Sequence, residues 1–312
     1  MRPAFSVVFL TTLTGAAQGL FLALFATELL AGFGVLARPG TAFFVAGAVL
    51  AVVLAGLGLL ASFFHLGHPE RAWRAIAMWR TSWLSRECIF LPAFMATVFV
   101  YGLSHWLGSG LTLAVGTLAT LCCFGLFVST GMIYTCIKVL REWASPLTTT
   151  NFIFLGCASG FTLAAGLAAW TAPDDIRFLA IAAVVLTLVG CATRVASLVR
   201  NARLQPKASL QSATGIKHRQ VVQKSRGFTG GAFNLKEFFH GQSEQTMRTI
   251  KWTFLVLTFP APLALLAAGL ANASAVLLAA AFAIQYAGLL AERWFFFAEA
   301  HHPQNMYYRG VS

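Results

Sequence analysis

The chain has 312 residues, of which 58% are hydrophobic and only 10% charged, and its mean hydropathy is +0.74. Soluble domains carry about 25% charged residues, so a soluble enzyme is excluded. The apolar runs are solid rather than alternating over about 10 residues, which excludes a porin-type barrel. The formal net charge of +12 accompanies no pattern resembling a nucleic-acid fold, so nucleic acid is not expected as a partner.

Several apolar runs exceed the roughly 20 residues that span a bilayer as a helix. They predict an all-α integral membrane protein with spans near 5–35, 41–65, 87–107, 110–138, 150–171, 176–198, 252–271 and 273–297. These form a single polytopic domain over 1–312 that divides by spacing into two four-helix halves. The first run, Phe5 to Val35, is longer than the roughly 7–15 apolar residues of a signal peptide, and is expected to be retained as a span. Three connections are very short (Gly108–Gly110, Ala172–Asp175, Ala271–Asn272), so the helices they join should pack as antiparallel hairpins.

With both termini on one side, every Lys and Arg except Arg38 and Arg177 falls on that side. The positive-inside rule then places the termini and the second–third, fourth–fifth and sixth–seventh connections in the cytoplasm. The stretch 199–250 reads as a long basic loop, with QPKASLQSATGIKHRQVVQKSRG followed by FTGGAFNLKEFFHG. Such a loop can lie on anionic lipid headgroups or dock a cytoplasmic partner. The cluster Phe228, Phe233, Phe238 and Phe239 favours docking.

Ionisable groups at or within spans are costly, and each is a functional candidate. The densest set lies between the second and third spans, in SFFHLGHPERAWRAIAMWRTSWLSREC. Interfacial anchoring accounts for Trp73, Trp79, Trp83 and the arginines Arg71, Arg74, Arg80 and Arg86. It does not account for Glu87 or for His65 at the last turn of an apolar helix. A rim histidine is often merely solvated. It also suits hydrogen bonding to a quinone carbonyl and proton exchange near neutral pH. Glu87 is expected to open the third span, near enough to act with His65.

Elsewhere, Thr11, Thr14 and Gln18 share one helix face, lining a cavity or joining helices. Glu28 lies toward the opposite rim, and Tyr134 near the basic end of the fourth span. The last span carries Glu292 and Arg293, each expected to have its own partner, then Glu299, His301 and His302. All seven histidines fall at rims or in loops, so no haem is expected. The six cysteines lie in apolar segments with no metal-binding C-x-x-C spacing, as small buried residues do. No metal site is expected in the chain itself.

HLGHPERAW at 65–73, WLSRE at 83–87, REWASPLT at 141–148 and AERWFFFAEAHHPQNMYY at 291–308 resemble the membrane-anchor subunits of the dimethyl sulfoxide reductase family, relatives of the polysulfide-reductase membrane subunit. The resemblance covers nearly the whole chain. It implies a haem-free, eight-helix, quinone-binding anchor (ubiquinone or menaquinone) in a bacterial inner membrane. A four-cluster iron–sulfur subunit and a molybdopterin catalytic subunit would be its partners, and would hold the metal centres. His65 and Glu87 would be the reactive pair. Arg71 and Ser85 follow by motif position as quinone contacts, with Tyr134 and Glu292 added. Arg74, Arg80, Arg86, Arg141 and Phe238 would face the partner.

His65 lies on the basic side, and the long basic loop is absent from shorter reductase anchors. Both features bring the chain closest to the anchors of cytoplasm-facing sulfite dehydrogenase complexes, which imply sulfite oxidation to sulfate with quinone reduction. An S-oxide or N-oxide reductase oxidising quinol shares every residue named. A transporter would be expected to carry its ionisable groups at mid-membrane depth; here they gather at one rim.

Overall fold

The computed structural model describes residues 1–205, 209–221, 237–303 and 305. Its helices are α1 (Phe5–Gly32), α2 (Thr41–Phe63), α3 (Trp83–Trp106), α4 (Thr112–Thr135), α5 (Pro146–Thr171), α6 (Ile176–Ala202), the short α7 (Leu210–Thr214), α8 (Glu244–Thr258), α9 (Pro260–Ala271) and α10 (Ala275–Glu299). Among the described residues, eight spans are long and apolar enough to cross a bilayer: α1 to α6, the α8–α9 pair, and α10. The protein is an all-α, multi-pass membrane protein.

Several helices extend beyond their apolar windows. α3 starts at Trp83, so Glu87 lies one turn inside it rather than at its mouth. α6 runs to Ala202 and the seventh span starts at Glu244, which shortens the expected 199–250 loop at both ends. Arg200, Arg248 and Lys251 are consequently helical. A charged residue ends a hydropathy window but not a hydrogen-bond ladder, because long basic side chains extend toward the headgroups from helical backbone. Local chemistry sets the starts. The Ser82 and Ser145 hydroxyls accept from the Ser85 and Leu147 N–H groups, and Pro146 opens α5.

The seventh span is broken, a feature the apolar window concealed. Pro260 has no N–H for the Val256 carbonyl, and α8 ends at Thr258 with a turn at Phe259. Gln285 of α10 mends part of the break: its Nε2 donates to the Thr258 carbonyl at 3.3 Å and to Thr187 Oγ1 at 3.1 Å.

In packing, α1 to α4 close one ring and α5, α6, α9 and α10 another, with α8 against α10. The two halves meet where α1 crosses α5. These two helices are the core, 72% buried through their central windows against 28–39% for the others. The crossing is backbone on backbone. Gly15 and Gly19 face Gly156 and Gly160, so each helix presents a G-x-x-x-G pair. A Cβ at Gly160 would lie 2.1 Å from backbone atoms of Gly19 and Leu20, and one at Gly19 would lie 2.2 Å from the Gly156 carbonyl oxygen. Gln18, between the two α1 glycines, donates to the Cys123 carbonyl at 2.7 Å and ties α4 to the same crossing.

Candidate functional site

The helical alternation gathers the N-terminal ends of α1, α3, α5 and α8 with the C-terminal ends of α2, α4, α6 and α10. At this basic end, α2 stops at Phe63, and a 3-10 segment, Pro69–Met78, runs on with no buried residue. Trp73, Ile76, Met78 and Trp79 are exposed. Guanidinium groups sit over indole rings in sequence: Arg74 over Trp73 at 5.5 Å, Arg80 over Trp79 at 5.3 Å and Arg86 over Trp83 at 4.1 Å. Arg86 also donates to the Trp79 and Arg80 carbonyls at 2.9 and 2.8 Å, pinning the segment to α3. Arg71 and His68 share Glu70 at 3.7 and 3.0 Å, in the open.

His65 follows the last turn of α2, its N–H directed to the Ser62 carbonyl at 3.3 Å. The side chain is exposed and makes no hydrogen bond or ion pair among the described residues. The burial its ring does have holds the imidazole below its ordinary pKa; in the neutral form one ring nitrogen donates and the other accepts. Glu87 differs in every respect. It is 9% exposed, in the second turn of α3, and its Oε1 accepts from Thr130 Oγ1 of α4 at 2.5 Å. Ser85, two residues earlier, is also buried. Since α2 packs on α3, His65 and Glu87 stand at the same end of adjacent helices, without direct contact between their side chains.

Tyr134, one turn beyond Thr130 on α4, is boxed by Trp143, Phe152, Phe296 and Phe297, with ring centroids at 5.3–5.6 Å. Behind this box lies a buried charge cluster. Arg194 Nε meets Glu292 Oε1 at 2.7 Å and its Nη2 lies 3.9 Å from Glu299 Oε2, while Arg293 Nη2 lies 3.6 Å from Glu292 Oε2. The Arg293 guanidinium sits 3.7 Å from the Phe152 ring centroid.

This gives an all-helical bundle with a glycine-crossed core, an exposed Arg–Trp segment, and a rim histidine beside a buried acid. Over residues 1–298 the sequence matches the family described as DMSO reductase anchor subunit (DmsC). The chain belongs to that family. It is also 51% identical, over the full length of both chains, to a subunit of the sulfite dehydrogenase of Allochromatium vinosum. It is accordingly an anchor subunit, part of an oxidoreductase complex.

In this anchor, several expected site residues carry local duties. Arg141 donates to the Gln205 carbonyl, and Arg86 holds the rim segment, so Arg74 and Arg80 are the more open of the basic residues expected to face a partner. The Phe238 ring stacks on His302 at 3.8 Å and its carbonyl accepts from Asn305, while Phe239 is buried. Both fold back onto the basic end; Phe228 and Phe233 lie outside the described residues. Glu292 and Arg293 do not have separate partners, because Glu292 takes both Arg194 and Arg293. Arg194, read from the sequence only as part of a basic run, is 1% exposed and is the hub of the cluster. At the opposite rim, Glu28 accepts from Tyr101 at 2.7 Å and lies 3.5 Å from His105, whose ring stacks on Phe44 at 4.1 Å. That cluster ties α1, α2 and α3 together far from His65.

Proposed function

We propose that this anchor passes electrons between a partner iron–sulfur subunit and the membrane quinone pool, and that His65 and Glu87 form its quinone-reactive pair. The observation that carries the reading is the unpartnered imidazole of His65 at the rim, next to a helix that buries a carboxyl group. The residues present fit a quinone: exposed Phe63, Phe64, Leu66 and Leu84 offer an apolar surface around His65 and the start of α3. When bound, a quinone supplies a carrier for two electrons and two protons. His65 orients it by donating from one ring nitrogen, Arg71 and Ser85 flank it, and Glu87 holds a proton at a carboxyl oxygen screened from water. Arg74 and Arg80 present charge to the partner subunit.

The direction we propose is sulfite oxidation at a molybdenum centre on a catalytic partner, with quinone as acceptor. Full-length identity of 51% to a sulfite dehydrogenase subunit supports this direction. The one-sided distribution of Lys and Arg supports a cytoplasmic position for the basic end and the partners.

The test is purification of the tagged anchor from mild-detergent membranes, with metal analysis and a sulfite-to-quinone assay. Molybdenum, iron and sulfite-dependent quinone reduction in one complex are expected. Metals without sulfite activity would move the substrate to S-oxides or N-oxides, and absence of both metals from an intact preparation would refute the reading.

A further inference from the structure

Four charged side chains at the basic end form a buried set, of which only Glu292 is an expected quinone contact. Arg194, Glu292 and Arg293 retain 2%, 1% and 5% side-chain exposure, and Glu299 retains 17%. Withdrawing ions from water costs several kcal/mol each, and apolar side chains of similar volume usually hold helices together as well. Charges kept inside a membrane span therefore call for a use.

Their arrangement is a row with two ends. At one end Glu299 lines a cavity of about 260 Å³, together with His240, Gln242, Glu244, Met247 and His301. From Glu299 the row passes to Arg194, which also grips Glu292, and from Glu292 to Arg293. Arg293 Nε is buried and has no acceptor among the described residues. The Arg293 guanidinium lies over Phe152, which stacks on Tyr134 at 5.6 Å. Tyr134 stands one turn from Thr130 on α4, the donor to Glu87.

We propose that Glu299, Glu292 and Tyr134 form the route by which protons reach Glu87 from the cavity beside His240 and His301. The inference rests on the quinone reading above. Electrons arrive from the partner's clusters; the route carries only protons, two for each quinone reduced, and every group on it returns to its starting state. Glu299 takes a proton from the cavity and relays it to Glu292 through water held beside the Arg194 guanidinium. Tyr134 gives its hydroxyl proton toward Glu87 and is reprotonated from the Glu292 side. Arg194 and Arg293 stay protonated throughout and hold the carboxylates in line. The groups facing Glu299 are Arg194 and Asn201 of α6, Lys251 of α8, Glu142 of the α4–α5 connection and His301.

The test uses the whole complex. Glu299→Gln should slow quinone reduction by about tenfold or more, most steeply at alkaline pH. Dye-linked substrate oxidation and the affinity for a fluorescent hydroxyquinoline N-oxide should be unchanged. Glu299→Asp should keep most of the rate, and added formate should restore part of it in Glu299→Gln. If Glu299→Gln does not assemble, Tyr134→Phe removes a single hydroxyl and should slow quinone reduction with the same steepening at alkaline pH. Wild-type pH profiles in assembled Glu299→Gln and Tyr134→Phe complexes would overturn the route. So would loss of analogue affinity along with the rate in Glu299→Gln, since Glu299 would then be shaping the quinone site. A wild-type complex that binds the analogue but never reduces quinone would instead refute the functional reading.

Discussion

Arg194 and Glu292 meet at 2.7 Å between α6 and α10, with both side chains almost wholly withdrawn from solvent. Glu292 also faces Arg293, and Arg194 also faces Glu299, so the two helices are locked by a neutral set of two positive and two negative groups. Removing one member leaves its partner charged and buried, which typically costs about 3–5 kcal/mol. Arg194→Met should therefore lower the melting temperature of the purified complex markedly. Arg194→Met combined with Glu292→Met should recover part of the loss. Equal or greater loss in the double variant would mean that the pair is worth more than the desolvation argument allows.

The α1–α5 crossing makes a sharper structural prediction. At Gly160 even one methyl group would overlap backbone of α1, so Gly160→Ala should prevent accumulation of folded anchor in membranes. Gly15→Ala should be tolerated, because its Cβ would meet Gly156 Cα at an ordinary 3.5 Å. Membrane yield and detergent melting of the two variants compare these positions directly.

Glu142 and His301 pair at 3.0 Å where the α4–α5 connection meets the end of α10. The hydrogen bond to Glu142 raises the His301 pKa; burial alone would raise that of Glu142, but the same bond holds it below the carboxylate range. A raised histidine contributes fully below about pH 6.5 and loses its contribution as pH rises through its folded value. A lowered carboxylate contributes above about pH 4.3 and loses it as pH falls through its folded value. The pair should stabilise most at about pH 5 to 6.5. The His301 side chain is 79% exposed, so the effect should not exceed about 1 kcal/mol. Melting of wild type and His301→Gln should differ near pH 6 and converge by about pH 9; a difference that grows with pH would contradict the assignment.

Arg74 lies on the exposed 3-10 segment and Arg80 in the turn that follows it, neither with an acidic partner among the described residues. Reversing both to Glu should loosen attachment of the partner subunits, chiefly by faster dissociation and altered salt dependence. The anchor's own melting should be unaffected. Co-purification at low and high salt reads this out, and full retention of partners would move the docking surface elsewhere.

Much of this molecule was legible in its sequence, because apolar length and charge asymmetry report directly on membrane spans. His65 and Glu87 stood out for a related reason: each is costly where it lies. The glycine crossing went unread: G-x-x-x-G stands at Gly15–Gly19 and at Gly156–Gly160, but composition does not say that the two pairs face each other. Pro260 was in plain view inside an apolar window, and its consequence depends on Gln285 arriving from another helix. Arg194 was the least readable. Counted by charge it belongs with the basic loop, and only the packing of α6 on α10 turns it inward to Glu292. Adjacent Glu292 and Arg293 were expected to diverge by helix geometry, yet long side chains bend enough to meet around a shared neighbour.

The most direct test of the role given to His65 is the effect of His65→Ala on an assembled complex, with sulfite oxidation followed both to an artificial dye and to quinone. Dye reduction and partner binding should persist at wild-type levels while quinone reduction falls to background. Wild-type quinone reduction in His65→Ala would contradict that role and remove His65 from the electron path.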